Sequence, residues 1–333
     1  MPRSSTRFQQ YRNNFAPDDS RNDENYPDEA AFEKFRFESR YETAPRRVVV
    51  EGRSGRHDIL EPEAVTESDF ETVVEGVNYS TYDLAAHGPE PIPNWVVTSF
   101  SAFDTPLGIL KTGKEADVHL LDRTLPGVAS SLLAVKTYRT AEHRMFHRDS
   151  AYQEGRRTRR SREGRAMAAR TAFGRELLAG KWAAAEFEAL SLLWTAGAPV
   201  PYPVQLIGSE LMMEFVGSAD GSAAPRLANA GPPDDEAPTE WFTELWHDLV
   251  ATLDLLAGLG YAHGDLSAYN ILVRDGRCVL IDLPQMVDVI ANPQGPQFLA
   301  RDAANVADFF RRRGVQGADG ELLATRLADQ AGL

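Results

Sequence analysis

The chain has 333 residues, 43% hydrophobic and 25% charged, a length and composition suited to one large or two small soluble domains. A formal net charge of -14 at pH 7 argues against a general nucleic-acid binder, and no apolar run is long enough for a transmembrane helix. The lone cysteine, Cys278, excludes an internal disulfide and a cysteine-built zinc site, and the polar N-terminus MPRSSTRFQQYRNN lacks the apolar stretch of a secretory signal, so a reducing, cytoplasmic location is expected.

Residues 1–90 are acidic, rich in Asp, Asn, Ser and Pro and poor in apolar clusters. They read as a mostly disordered tail, because they bury too little apolar surface to offset chain entropy. From about Pro93 the runs VVTSF, DVHLL and LLAVKTY read as short strands separated by turn residues. Residues 139–175 then carry eleven arginines against four acids, Glu142, Asp149, Glu154 and Glu163. Such a run is a solvated loop or exposed helix; the sharper expectation is a docking surface for RNA or an acidic partner, with no DNA and no membrane involved.

In KWAAAEFEALSLLWTAG, Trp182, Glu186, Leu190 and Leu193 fall on one helical face, with Gly197 as the stop. Strands in PVQLIG and LMMEFVG lead to a long Ala/Pro/Asp loop over 218–240. Phe242, Leu245, Trp246, Leu249, Leu253 and Leu256 then form the apolar stripe of an amphipathic helix. The runs ILV and CVLID flank the turn RDGR as a hairpin, and the remainder from Pro284 reads as helical.

The strongest chemical signal is Asp265, then Asn270 five residues later, then Asp282 beyond the hairpin. Protein kinases space their catalytic Asp, metal-binding Asn and metal-binding Asp in this order. Lys136 lies in the apolar strand LLAVKTY, where a charge is costly unless paired. A helix glutamate is the partner expected in a kinase; Glu186 is the choice, with Glu188 as the alternative. Gly113, Lys114 and Glu115 sit where a phosphate-covering loop would lie. With one glycine they form neither G-x-G-x-x-G nor a Walker A motif, and an ordinary hairpin turn explains them equally. Met213, Glu214 and Val216 precede Gly217 in an apolar strand that matches a hinge, where the Glu214 carbonyl and Val216 N–H could read adenine; a buried strand with methionine packing fits the same residues.

These residues resemble the RIO group of atypical protein kinases. The resemblance rests on G-K-E-A at 113–116, L-A-V-K at 133–136, W-x-x-x-E-F-x-x-L at 182–190, L-M-M-E-F-V-G with A-P-R-L at 224–227, H-G-D-L-S-x-Y-N, I-D-L-P-Q at 281–285 and F-L-x-R-D-x-x-N-V-x-x-F-F at 298–310. It covers residues 95–314 and is closest to the type-one branch in its bacterial form. It implies an α+β, bilobal protein-kinase-like fold: a β-rich N-lobe over 91–213 and a trimmed helical C-lobe over 214–333, behind the acidic tail. It further implies ATP with Mg²⁺ or Mn²⁺ as ligands and serine/threonine phosphorylation of a protein, with ATPase activity. Asp265 would be catalytic, Asn270 and Asp282 metal-binding, Lys136 phosphate-binding and positioned by Glu186, and Asp282 could itself take up phosphate. The stretch after Asp282 is short and holds no Ala-Pro-Glu sequence, so no activation-segment switch is expected. Two other functions fit the same motifs: a small-molecule phosphotransferase of the aminoglycoside/choline-kinase type, and an ATP-gated assembly factor with slow turnover.

Overall fold

The alternating runs ADVHLLDRTL and ASSLLAVKTY lie at the centre of a seven-stranded antiparallel sheet in a computed structural model of the chain, which describes residues 78–139 and 172–333. The expectations for residues 1–77 and for most of the Arg-rich run, 140–171, fall outside the described residues. The strands are β1 (Asn78–Tyr79), β2 (Ala86–His87), β3 (Phe103–Thr112), β4 (Ala116–Leu125), β5 (Ala129–Tyr138), β6 (Pro203–Ile207) and β7 (Glu210–Glu214), in the order β1-β3-β4-β5-β7-β6-β2.

Two details differ from the sequence reading. VVTSF is not a strand; the strand is FDTPLGILKT, that is β3, whose pattern Pro106 and Gly108 disguise. β1 pairs only with Phe103 and Asp104, so from Pro106 onward β3 is an edge strand, where a missing N–H is tolerated, and its register shifts at Gly108. Residues 78–90, assigned to the tail, instead contribute β1 and β2 to the sheet. One buried aromatic, Tyr82, anchors them among Leu121, Leu133, Val135, Tyr202, Val204 and Met212. Arg123, fully buried, reinforces the anchor: it donates to both Asp104 oxygens at 2.7 and 2.8 Å and to Gln205 at 2.7 Å, and Gln205 donates to Thr81 Oγ1 at 2.9 Å. A composition window cannot register a segment held by one ring and a few backbone bonds.

Helix α1 (Ala172–Thr195) begins well before the predicted Lys181 and packs against the sheet. Beyond β7 the chain enters a second, mostly helical lobe through Phe215–Gly217. Helix α2 (Pro238–Gly258) starts with Pro238 in its first turn, where the lost N–H would have no helical partner anyway. Its stripe Leu245, Leu249, Leu253 and Leu256 packs with Leu190 and Leu193 of α1 and with Ile271, Leu280, Phe298 and Phe310 in the main core. β8 (Tyr261–Ala262) pairs with β11 (Val287–Asp288), and the expected hairpin is β9 (Ile271–Arg274) with β10 (Arg277–Leu280). Its turn, Asp275-Gly276, has both φ values positive, as a two-residue turn with right-handed strand twist requires. Helices α3 (Gly295–Arg311) and α4 (Gly320–Ala331) close the lobe; Asp319 caps α4 by accepting from the N–H groups of Glu321 and Leu322. No described helix is long and apolar enough to cross a membrane.

Candidate active site

The register across the sheet places Lys111, Val118, Lys136 and Leu211 in one row on β3, β4, β5 and β7, so their side chains share a face. From that face Lys136 Nζ reaches 2.8 Å from both oxygens of Glu186 on α1 and 2.7 Å from Asp282 Oδ1. Glu186 is 1% exposed and Glu188 is exposed, which resolves the choice between them. Glu186 also accepts from the Tyr138 hydroxyl at 2.5 Å and from the Leu283 N–H at 3.2 Å, so four donor contacts hold it. Burial pulls the Lys136 ammonium toward its neutral form, but the two carboxylates outweigh burial and leave its pKa raised. Burial likewise pushes the Asp282 carboxyl up, and the Lys136 charge and hydrogen bond more than reverse it. Burial first, and the Glu186 anion second, hold the Tyr138 phenol well above its ordinary value, keeping it a donor.

On the opposite side, the turn 263–270 is stitched to the chain around Asp282. His263 Nε2 bonds the Ile281 carbonyl at 3.1 Å while its Nδ1 accepts from the Asp265 N–H at 3.4 Å, a pair of bonds that assigns the Nε2–H tautomer. The Ile281 N–H donates to the Asn270 carbonyl at 3.0 Å, which sets Asn270 beside Asp282. Asn270 Nδ2 donates to the Asp265 carbonyl at 2.9 Å, so its amide oxygen is the atom left for an external group. Gly264 has φ +88°, and a Cβ there would lie 2.2 Å from the Gln285 carbonyl oxygen, so only glycine fits ahead of Asp265. Asp282 itself has φ 67°, left-handed backbone that is uncommon outside glycine and that Asp and Asn adopt more readily than other side chains.

Asp302 on α3, the Asp of the F-L-x-R-D run at 298–302, was given no role in the sequence reading. Its carboxylate accepts from the N–H groups of Gly264 at 2.8 Å and Leu266 at 3.1 Å, bracketing Asp265, and Asn305 donates to the Leu266 carbonyl at 3.0 Å. Burial raises the Asp302 pKa, partly offset by His263 and the two N–H groups. The signal was legible: Asp302 is the one acid on the buried α3 stripe of Phe298, Leu299, Ala303, Val306 and Phe310, and a carboxyl there needs partners.

Met213 is buried in the core opposite Ala134, and Phe215 and Val216 are buried beyond it. Glu214 gains a side-chain role the sequence did not suggest: Arg274 of the β9–β10 hairpin donates to it at 2.6 Å, tying the end of β7 to that hairpin. Gly113, Lys114 and Glu115 form the tight β3–β4 connection, closed by Gly113 N–H to the Ala116 carbonyl at 2.9 Å, with Lys114 and Glu115 exposed.

The Lys136–Asp282 contact has a pH signature. The depressed Asp282 pKa contributes stability above the unfolded carboxylate value, lost as pH falls through the folded one; the raised Lys136 pKa contributes below the unfolded lysine value, lost as pH rises through the folded one. The metal-free protein is therefore expected to hold its stability advantage over an Asp282→Asn variant between about pH 4 and about pH 10. Melting midpoints of both proteins should converge below that window; an advantage undiminished at low pH would contradict the assignment.

Asp282 and Asn270 offer one carboxylate and one amide oxygen, a hard-donor pair too small for a protein-only cage, and no cluster of three or more His, Cys, Asp or Glu with metal-holding geometry occurs among the described residues. That donor set fits Mg²⁺, which commonly takes one or two carboxylates and completes its octahedron with substrate phosphates and water.

The RIO domain family matches residues 126–322, more than half of the chain. The chain is similar to the RIO-type serine/threonine-protein kinase Rio1 of Haloferax volcanii, 39% identical over 142 residues, 43% of this chain and 46% of that protein. It is also similar to the serine/threonine-protein kinase RIO1 of Chaetomium thermophilum, 32% identical over 230 residues, 68% and 43% of the two chains, and to RIO3 of Bos taurus, 28% over 254 residues, 74% and 46%. The chain thus spans less than half the length of these relatives. A solved structure of the Rio2 kinase–ADP/Mg²⁺–phosphoaspartate complex from Chaetomium thermophilum aligns with a TM-score of 0.47 at 21% identity, covering 68% of this chain and 66% of that one. With its motifs in family order and the family match extending from just before β5 into the first turn of α4, this chain belongs to the RIO domain family.

Proposed function

We propose that the chain binds ATP with Mg²⁺ or Mn²⁺ between its two lobes and transfers the γ-phosphoryl group to a serine or threonine hydroxyl of a protein. The observation that carries this reading is the position of Lys136 Nζ, 2.8 Å from Glu186 and 2.7 Å from Asp282, which joins the sheet, helix α1 and the segment after the β9–β10 hairpin at one point. A buried lysine held between two carboxylates is poised to exchange one of them for a phosphate oxygen.

In this reading Glu186, fixed by Tyr138 and Leu283, keeps Lys136 aimed at the phosphates. Asn270 and Asp282 hold the metal ion, which when bound neutralises phosphate charge and aligns the transferring group. Asp265, on the turn clamped by Asp302, accepts the proton of the attacking hydroxyl as the bond to γ-phosphorus forms and ADP departs. The backbone of Glu214–Val216 reads adenine, and Gly113–Glu115 covers the phosphates. The family's named relatives are protein kinases, which favours a protein acceptor over a small molecule.

A second outcome at the same site is favoured by the partly exposed carboxylate of Asp282. Asp282 Oδ could take the γ-phosphoryl itself, releasing ADP, and water would then hydrolyse the acyl phosphate. Calorimetric titration tests the shared first step: Mg·ATP should bind, and binding should fall sharply when the metal is chelated. Undiminished ATP binding without metal would contradict the roles given to Asn270 and Asp282.

A further inference from the structure

Two cations near Asp282 have no part in the roles above. Lys111 stands in the same sheet row as Lys136, two strands away, and so projects from the face that bears the Glu186–Lys136–Asp282 trio. Interstrand spacing puts the two residues about 10 Å apart at the backbone. Arg226 comes from the other lobe. Its segment runs along the exit of the catalytic turn: Arg226 bridges Leu272, the Leu227 N–H donates to the Ile271 carbonyl at 2.8 Å, and the Ala228 N–H donates to the Ala268 carbonyl at 3.0 Å. That path lies one strand residue from Asn270.

Neither side chain makes a hydrogen bond or ion pair with another described residue. Burial, and next the Arg226 cation, hold the Lys111 ammonium below its ordinary pKa, while Asp282 pulls it upward and Lys136 pushes it down. Two cations facing one cleft attract an anion placed between them more strongly than either would alone. Lys136 can turn to an incoming anion only by giving up one of the two carboxylates that already surround it. A polyphosphate arriving at Asp282 therefore meets a local excess of negative charge, except at Lys111 and Arg226.

We propose that Lys111 and Arg226, one from each lobe, form a two-cation clamp on the polyphosphate of the bound nucleotide. The clamp rests on the reading of the cleft as an ATP site and adds to it the groups that select a polyphosphate over a bare nucleoside. Arg226 supplies a planar fork suited to two phosphate oxygens, and Lys111 supplies a compact point charge. The anion removes their mutual repulsion, so filling the cleft draws the two lobes together.

The test is calorimetric titration of the full chain with Mg·ATP and, separately, with adenosine. Wild type, Lys111→Ala, Arg226→Ala and the double variant are compared, with Arg311→Ala, far along α3, as a control for loss of one positive charge. Each cleft variant should weaken Mg·ATP about tenfold or more, the size of one charge-assisted hydrogen bond. Adenosine affinity should stay unchanged in every variant, and Arg311→Ala should match wild type with both ligands. The clamp is overturned if the double variant binds Mg·ATP like wild type. It is equally overturned if ATP and adenosine weaken together, which would mark general damage to the cleft, or if ATP affinity holds while the KM for a protein acceptor rises, which would assign the cations to the acceptor. A wild type that binds adenosine but gains nothing from the phosphates overturns the clamp alone. A wild type that binds neither ligand removes the ATP reading and the clamp with it.

Discussion

Asp265→Asn is expected to slow phosphoryl transfer by about 10²–10⁴-fold, the usual span for loss of a positioned general base. Asparagine preserves the shape of the side chain but cannot accept the hydroxyl proton. The turn that carries it should persist, because its supports lie in other residues: Asp302 on the N–H groups of Gly264 and Leu266, Asn270 on the Asp265 carbonyl and His263 on Ile281. Nucleotide affinity should therefore change little. Steady-state rates with a protein acceptor, measured beside calorimetric Mg·ATP binding, separate the two quantities. A variant that loses ATP affinity in proportion to rate would mean that Asp265 holds the nucleotide rather than the acceptor.

Lys136→Met is expected to be costly for folding as well as for catalysis. Glu186 is 1% exposed, and without Lys136 it becomes a buried carboxylate with only the Tyr138 hydroxyl and Leu283 N–H as partners. Removing one member of a buried ion pair typically destabilises by about 3–5 kcal/mol, whereas replacing both members by neutral groups is often near neutral. The double variant Lys136→Met/Glu186→Gln should thus recover most of the lost stability while remaining inactive. Chemical denaturation of the two single variants and the double variant checks this. A double variant as unstable as the sum of the singles would show that the pair is not the source of the loss.

The parts of this site that were readable in the sequence are those whose spacing is local. Asp265, Asn270 and Asp282 lie on one turn and the far end of one hairpin, and Asp275-Gly276 declares the hairpin's turn. Glu186 was readable only to within a choice with Glu188, because both are acids on one helix and the deciding fact is which one the sheet buries. Asp302 contacts the 263–270 turn from 36 and 38 residues away, and no local pattern names its partners, although its place on an apolar stripe marks it as needing some. Arg274 with Glu214, and Arg123 with Asp104 and Gln205, are long-range ion pairs and hydrogen bonds of the same kind. β3 was hidden by Pro106 and Gly108, which an edge strand tolerates and a central strand would not. The same holds for residues 78–90, where Tyr82 alone supplies the burial that their composition lacks.

The most direct measurement of the central claim is transfer from γ-labelled ATP. The wild-type chain, Asp265→Asn and Asp282→Ala are each incubated with labelled Mg·ATP and a protein acceptor, quenched in acid, and divided into portions with and without hydroxylamine. Acyl phosphates are cleaved by hydroxylamine and phosphoserine or phosphothreonine is not, so the two portions read Asp282 and the acceptor hydroxyl separately. The account predicts hydroxylamine-stable label on the acceptor with wild type, its near-complete loss in Asp265→Asn, and no hydroxylamine-labile label on the chain in Asp282→Ala. Acceptor labelling by Asp265→Asn at the wild-type rate, or no transfer of label by a wild type that binds Mg·ATP, would contradict it.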